Sequence, residues 1–261
     1  MIARREDRKP VYDRALLLYG PKRDEVLTLE EVQQYGIDSF SEPDYLRIYG
    51  MAPSVWFAQG IRLLGRTAVE CTRDALGNRI GKDIASIAAR LPKTTHFTVI
   101  DPFAGSCNTL YWILRHLPNS QGSACEVDRQ VYELTKRNIA GLDRTIDLQH
   151  SDYQSFLAAR HLPPDHALIF FVAPPWGKAL DEVAGLDLRR TTPPITHVLG
   201  YIRKTYPSQR VLFASQVYEK VDLASLRDVE VLLDWSELRV YDLNEAGKNH
   251  GILLGTNGWK P

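Results

Sequence analysis

The sequence predicts an α/β fold, with a mostly parallel sheet covered by helices on both faces, an antiparallel hairpin at its end and a mainly helical extension before it. Three observations predict it. From Phe97 onward, short apolar segments alternate with helix-patterned ones, the pattern of parallel strands joined by helical crossovers. A glycine-bearing turn follows the first apolar segment, and acidic residues stand at the ends of the first three. Beyond residue 229 the helical pattern stops, and two strand-like runs flank a polar stretch.

Residues 1–95 read as the helical extension and 96–261 as the sheet domain. Arg4, Arg5, Arg8 and Lys9 read as a solvated arm. Thr28 followed three residues later by Glu31 is a capping-box pattern at a helix start. Residues 39–45 read as loop. Between 52 and 91 the apolar period is helical, carried by Trp56, Ile61, Leu64 and Val69, then by Ile80, Ile84, Ile87 and Leu91. Residues 74–78 read as a break between two helices. In the second region, strands are predicted at 97–101, 123–127, 146–149, 167–172 and 210–214, with helices at 108–117 and 129–140. A long strand from 229 to 243, a polar turn over 244–251 and a strand at 252–255 read as the terminal hairpin. A chain of 261 residues is long enough for such a domain plus an appendage.

Composition narrows the function. Lys plus Arg and Asp plus Glu both number 32, so the formal net charge is zero, whereas chains that live on nucleic acid usually carry a basic excess. No apolar run would span a bilayer, and the charged start has no hydrophobic stretch behind it, so a cytoplasmic protein is expected. Cys71, Cys107 and Cys125 form no CxxC pair and lie near no histidine cluster, which predicts neither structural metal nor disulfide framework.

The turn after the first strand reads Asp101, Pro102, Phe103, Ala104, Gly105, Ser106, Cys107, Asn108, Thr109. A dinucleotide site would want several glycines facing a pyrophosphate. This turn has one glycine and an acid at its entrance, which suits a cationic ligand and repels a pyrophosphate. S-adenosylmethionine (SAM), with its sulfonium and α-amino group, fits that charge. Glu126 ends the second strand about twenty residues further on, the spacing at which an acid reaches ribose hydroxyls. Asp152, at the end of the third strand, is placed to accept from an adenine amine, with Tyr153 against the ring. It could equally cap the following helix, as Asp128 is expected to do before an ordinary Glu133–Arg137 surface pair. Candidate cofactor residues are thus Asp101, Phe103, Ala104, Gly105, Asn108, Thr109, Glu126, Asp152 and Tyr153.

The fourth strand runs into Ala173, Pro174, Pro175, Trp176 and Gly177. The prolines lack N–H groups and have fixed φ, so the carbonyls of Ala173 and Pro174 are kept out of a helical turn and free to accept from a substrate amine. Trp176 offers a flat face to a planar substrate. Ala173, Pro174, Pro175 and Trp176 are the candidate catalytic residues.

Four stretches carry a family resemblance: Asp101–Ser106 with Asn108 and Thr109; Ala124–Asp128; Ser151–Tyr153; and Pro174–Gly177, followed by Leu186–Thr191. Together they resemble the trimethylguanosine-synthase-like (RNA cap guanine-N2) methyltransferases, within the wider class of amino-methyltransferases with a (D/N/S)PP(Y/F/W) motif. The resemblance covers about residues 97–256. It implies a Rossmann-like class I methyltransferase sheet, SAM as cofactor and N-methylation of a planar amine. Two positions depart from it. Cys107 stands where the family usually has glycine, and Ala173 stands where it carries Ser, Asn or Asp. Three functions remain open. The first is N-methylation of a small planar amine such as a nucleoside, nucleotide or natural product. The second is methylation of an RNA cap or nucleobase. The third is a non-catalytic SAM-fold binding module. Of the seven histidines, His250 reads as a residue of the hairpin turn, and Trp56 and Phe57 as helix core.

Overall fold

The computed structural model describes residues 11–181, 183–242 and 250–261. The predicted basic arm at Arg4, Arg5, Arg8 and Lys9 and most of the predicted hairpin turn, 244–249, lie outside the described residues. The chain divides into two compact units, one ending at Cys71 and one beginning at Thr72.

In the first unit lie α1 (Arg14–Leu18), α2 (Leu29–Phe40), α3 (Pro53–Ala58) and α4 (Gly65–Glu70). The capping box at the start of α2 is formed: Glu31 N donates to Thr28 Oγ1 at 3.2 Å, and Thr28 N donates to Glu31 Oε2 at 2.9 Å. Trp56 is the buried centre of this unit, its Nε1 donating to the Leu46 carbonyl at 3.0 Å. The helical period predicted from 52 onward is interrupted at 59–64. There Leu63 accepts from Leu27 N at 3.0 Å and Leu64 bridges Val26, so apolar residues spaced like a helix serve an extended segment.

The second unit opens with α5 (Asp74–Ala88). Residues 74–78, expected as a break, are its first turns. Gly77 is there for close approach: a Cβ on it would lie 2.9 Å from Trp112 Cδ1, and one on Gly81 would lie 2.8 Å from the Trp112 carbonyl oxygen. Trp112 belongs to α6 (Asn108–His116), and the two helices are also tied through the buried Asp74. Its Oδ1 accepts from Trp112 Nε1 at 2.7 Å and from Asn108 Nδ2 at 3.2 Å. The compact unit that contains the sheet begins at Thr72, with α5 packed as part of it.

The sheet contains β1 (Phe97–Asp101), β2 (Ser120–Glu126), β3 (Ile146–His150), β4 (Ala167–Val172), β7 (Val211–Tyr218), β8 (Trp235–Tyr241) and β9 (His250–Asn257). A two-residue pair, β5 (Leu180–Asp181) with β6 (Gly185–Leu186), stands apart from it. The remaining helices are α7 (Arg129–Ile139), α8 (Tyr153–Ala158), α9 (Ile195–Thr205) and α10 (Leu223–Glu230). Strand order is β3-β2-β1-β4-β7-β9-β8; the first five are parallel, and β9 runs antiparallel to both neighbours. All six residues of β4 are buried, which is why it reads as an unbroken apolar run. The strand predicted from 229 begins only at Trp235. Val229 and Glu230 finish α10, which Asp222 caps by accepting from Ser225 N at 2.8 Å, and Val229 is fully buried. Asp83 of α5 ties that helix to β8, accepting from Arg239 Nη1 and Tyr241 Oη, each at 2.6 Å. Among the described residues no helix is long and apolar enough to cross a membrane.

Candidate functional site

Parallel register brings the strand ends together. Asp101 stands level with Ala124 of β2, and Ile100 with Phe170 of β4. Because β9 is antiparallel, its first residue, His250, sits opposite Tyr218, the last residue of β7, at the same carboxyl edge. Ligands of open α/β sheets bind along that edge.

The turn after β1 is wired to β2. Ala104 N donates to the Cys125 carbonyl at 3.0 Å and Gly105 N to Glu126 Oε2 at 2.9 Å. Asp101 accepts from Phe103 N at 3.0 Å, and Thr135 Oγ1 donates to the Gly105 carbonyl at 2.7 Å. Gly105 has φ +48°, and a Cβ on it would meet no atom within 4 Å, so the turn faces open space. Cys107, where a glycine is usual in the resembled family, takes φ 58° as the N-cap of α6. That left-handed conformation is one that glycine adopts at lower cost.

The electrostatics are those of two desolvated acids. Burial pushes the Asp101 carboxyl up to about 7, and Glu126 adds repulsion. Burial also raises Glu126, against the pull of hydrogen bonds from Asp128 N and Gly105 N. A cation at this turn would favour the ionised form of both.

The other predicted residues divide. Asn108 and Thr109 are buried, and Asn108 is engaged on the α5 side, its Nδ2 also donating to the Thr72 carbonyl at 2.7 Å. Asp152 is exposed and caps α8, accepting from Gln154 N at 3.0 Å and Ser155 N at 2.9 Å. Bonds from Ser155 hold its carboxyl below the usual range. The Tyr153 ring lies 5.5 Å from that of Phe103, so the β1 turn and the start of α8 share an aromatic wall. Asp128 caps α7 as expected, but Glu133 pairs with Arg129 at 3.0 Å, one turn earlier than the expected Arg137.

After β4, Pro174 is buried, Ala173 and Trp176 are half-buried, and Pro175 is exposed. The carbonyls of Pro175 and Trp176 accept from Thr192 N at 3.1 Å and Ala179 N at 2.8 Å. Among the described residues, no such bond reaches the carbonyls of Ala173 and Pro174. The Thr192 bond folds the downstream segment back on the turn. Phe103, Tyr153 and Trp176 all pack against one apolar cluster shared by α8, α9 and α10.

His250 was the residue the sequence misplaced. It is the first residue of β9, and its ring lies 5.7 Å from that of Trp176 at 31°, with the Tyr218 ring 6.5 Å from Trp176. Its neighbours Lys248, Asn249 and Gly251 read as turn. Register decides its place: an antiparallel partner that pairs all eight residues of β7 and ends at Asn257 reaches back to 250.

No protein-family model and no curated protein matches the sequence. Among solved structures, the chain is similar to lmo1582 of Listeria monocytogenes, described as a class I S-adenosylmethionine-dependent methyltransferase, with 16% identity over 73% of this chain and a TM-score of 0.52. It spans 62% of that protein. It is also similar to the N-terminal domain of human METTL16 solved with S-adenosylhomocysteine, at 14% identity over 68% of this chain and 67% of that one, with a TM-score of 0.49. The chain has the Rossmann-like fold of the class I SAM-dependent methyltransferases: a mostly parallel seven-stranded sheet ending in an antiparallel hairpin.

Proposed function

We propose that this protein is an enzyme that transfers a methyl group from SAM to an amine on a small planar molecule. The observation that carries the reading is the pair of desolvated carboxyls, Asp101 and Glu126, around a glycine turn open at the carboxyl edge of the sheet. The residues present fit SAM: two acids for a cationic ligand, and free space where a Cβ at Gly105 would stand. Bound there, SAM supplies an electrophilic methyl group on sulfur. In this reading Asp101 faces the α-amino group and Glu126 the ribose, the backbone of Phe103, Ala104 and Gly105 lines the approach, and Asn108 and Thr109 support it from α6. Asp152, Tyr153 and Phe103 take the adenine end. The unit from Thr72 carries the whole site, and the preceding unit is an appendage to it.

On the acceptor side, the carbonyls of Ala173 and Pro174 accept the amine's N–H bonds, Pro175 fixes their direction, and Trp176 supports the ring. Hydrogen bonding of both amine hydrogens favours the pyramidal nitrogen needed for in-line attack, and most of the rate comes from that alignment. The resemblance to trimethylguanosine-synthase-like enzymes supports a nucleobase-like amine, while Ala173 removes the side-chain acceptor those enzymes carry. The test is methyl transfer from labelled SAM to a panel of nucleotides and heteroaromatic amines. Trp176→Ala should cut turnover by roughly 5- to 150-fold, the worth of one stacked ring, and leave SAM affinity nearly unchanged. Wild-type turnover that is indifferent to the substitution makes the turn structural only.

A further inference from the structure

The geometry points to His250 as the base that receives the acceptor's proton, an inference that rests on the methyl-transfer reading above. When an amine nitrogen attacks the methyl carbon, the new N–C bond forms as the S–C bond breaks, and that electron pair stays on sulfur. The nitrogen is left with a positive charge and one hydrogen too many. The carbonyls of Ala173 and Pro174 can hold that hydrogen in a bond, but an amide oxygen is far too weak a base to keep it near neutral pH. The resembled family places a polar side chain at 173; here it is Ala173. Asp101 and Glu126, at the ends of β1 and β2, are engaged with the backbone of the turn after β1, and Asp152 is engaged as the cap of α8.

At the turn after β4, the described side chain with a nitrogen base that works near neutrality is His250, its ring 5.7 Å from Trp176. A planar acceptor lying on Trp176 would therefore have an imidazole beside it. The position is held from both sides. Tyr218 of β7 and Tyr241 of β8 stand directly opposite His250 on its two neighbouring strands. Tyr241 is anchored through Asp83, which also binds Arg239. Charged residues adjoin these contacts in sequence, namely Lys178 after the turn, Glu219 after Tyr218 and Asp242 after Tyr241. The proton passes from the amine to the imidazole and from there to solvent, so the balance closes without any further reactant.

Three readouts test this on the whole protein. First, the wild-type kcat profile should fall on the acid side as the imidazole protonates. His250→Gln should lose that limb and drop kcat by about 100-fold, with KM and SAM affinity little changed. Second, free imidazole should restore part of the rate to His250→Ala and none to His250→Gln. Third, without SAM or acceptor, tryptophan fluorescence should be quenched as pH falls through the same range, because a protonated imidazole beside Trp176 quenches it, and His250→Gln should abolish that step. Wild-type turnover with an unchanged acid limb in His250→Gln overturns the proposal while leaving methyl transfer intact. So does a loss that appears only in KM and is not rescued by imidazole, which would mark a packing role. A fluorescence titration identical in wild type and His250→Gln overturns it as well. Absence of transfer by the wild type across the amine panel sinks the methyltransferase reading itself, and this inference with it.

Discussion

Because Asp101 is buried beside Glu126, its carboxyl keeps a proton up to about pH 7, whereas in the unfolded chain it would lose it near 3.8. The folded state thus binds the extra proton between those values. Its contribution to stability is full below 3.8 and is lost as pH rises through 7. SAM reverses the dependence, since pairing with an ammonium requires the ionised acid. The thermal shift caused by SAM should grow from pH 5.5 to about 7.5 and then level off, and Asp101→Asn should flatten both curves. A wild-type shift that is constant over that range would remove Asp101 from the cofactor side. The positions of Asp101, Gly105 and Glu126, at the ends of β1 and β2 and in the turn between β1 and α6, were legible in the sequence because they follow from spacing along consecutive strands. His250 was not, because its place beside Trp176 depends on the register of an antiparallel strand, which local pattern does not encode.

The packing of α5 on α6 makes a sharper test than composition allows. Gly77 and Gly200 are both helical glycines, yet a Cβ on Gly77 would lie 2.9 Å from Trp112 and one on Gly200 would meet nothing within 4 Å. Gly77→Ala should destabilise by about 1–3 kcal/mol through overpacking. Gly200→Ala, on the exposed side of α9, should stabilise by about 0.5–1 kcal/mol through helix propensity. Urea unfolding of both variants checks the contrast; equal effects would mean that α5 can step away from α6 at little cost. The same contact explains why 74–78 misled as a helix break. A glycine in a polar run has the look of a boundary, and only its partner Trp112, distant in sequence, turns it into an interface. The start of β8 misled for a related reason: Val229 to Leu233 carry apolar residues that fit either period, and Val229 is buried as part of α10.

For the molecule as a whole, equal numbers of acidic and basic residues favour an acceptor that brings few phosphates. Acceptor binding should change little between 50 and 200 mM salt, whereas a ligand neutralised at Z phosphates would lose affinity with a log–log slope of about −0.7Z to −0.9Z. A steep slope in a filter-binding or calorimetric titration would promote an RNA acceptor over a small molecule. The five parallel strands were readable in order, because each is a local event in the chain, but the crossover helix Ile195–Thr205 between β4 and β7 was not predicted.

The order β7-β9-β8 has a consequence for how the chain is made. As the protein is synthesised, β8 emerges before β9, yet its place in the sheet is beyond β9. Until residues 250–257 have left the ribosome, β7 holds an open hydrogen-bonding edge along a strand whose Val211, Leu212, Phe213 and Ala214 are all buried in the finished sheet. An unpaired, apolar strand edge is a template for association with other chains. Polypeptides released just short of β9 would therefore be prone to association, and natural candidates for chaperone capture.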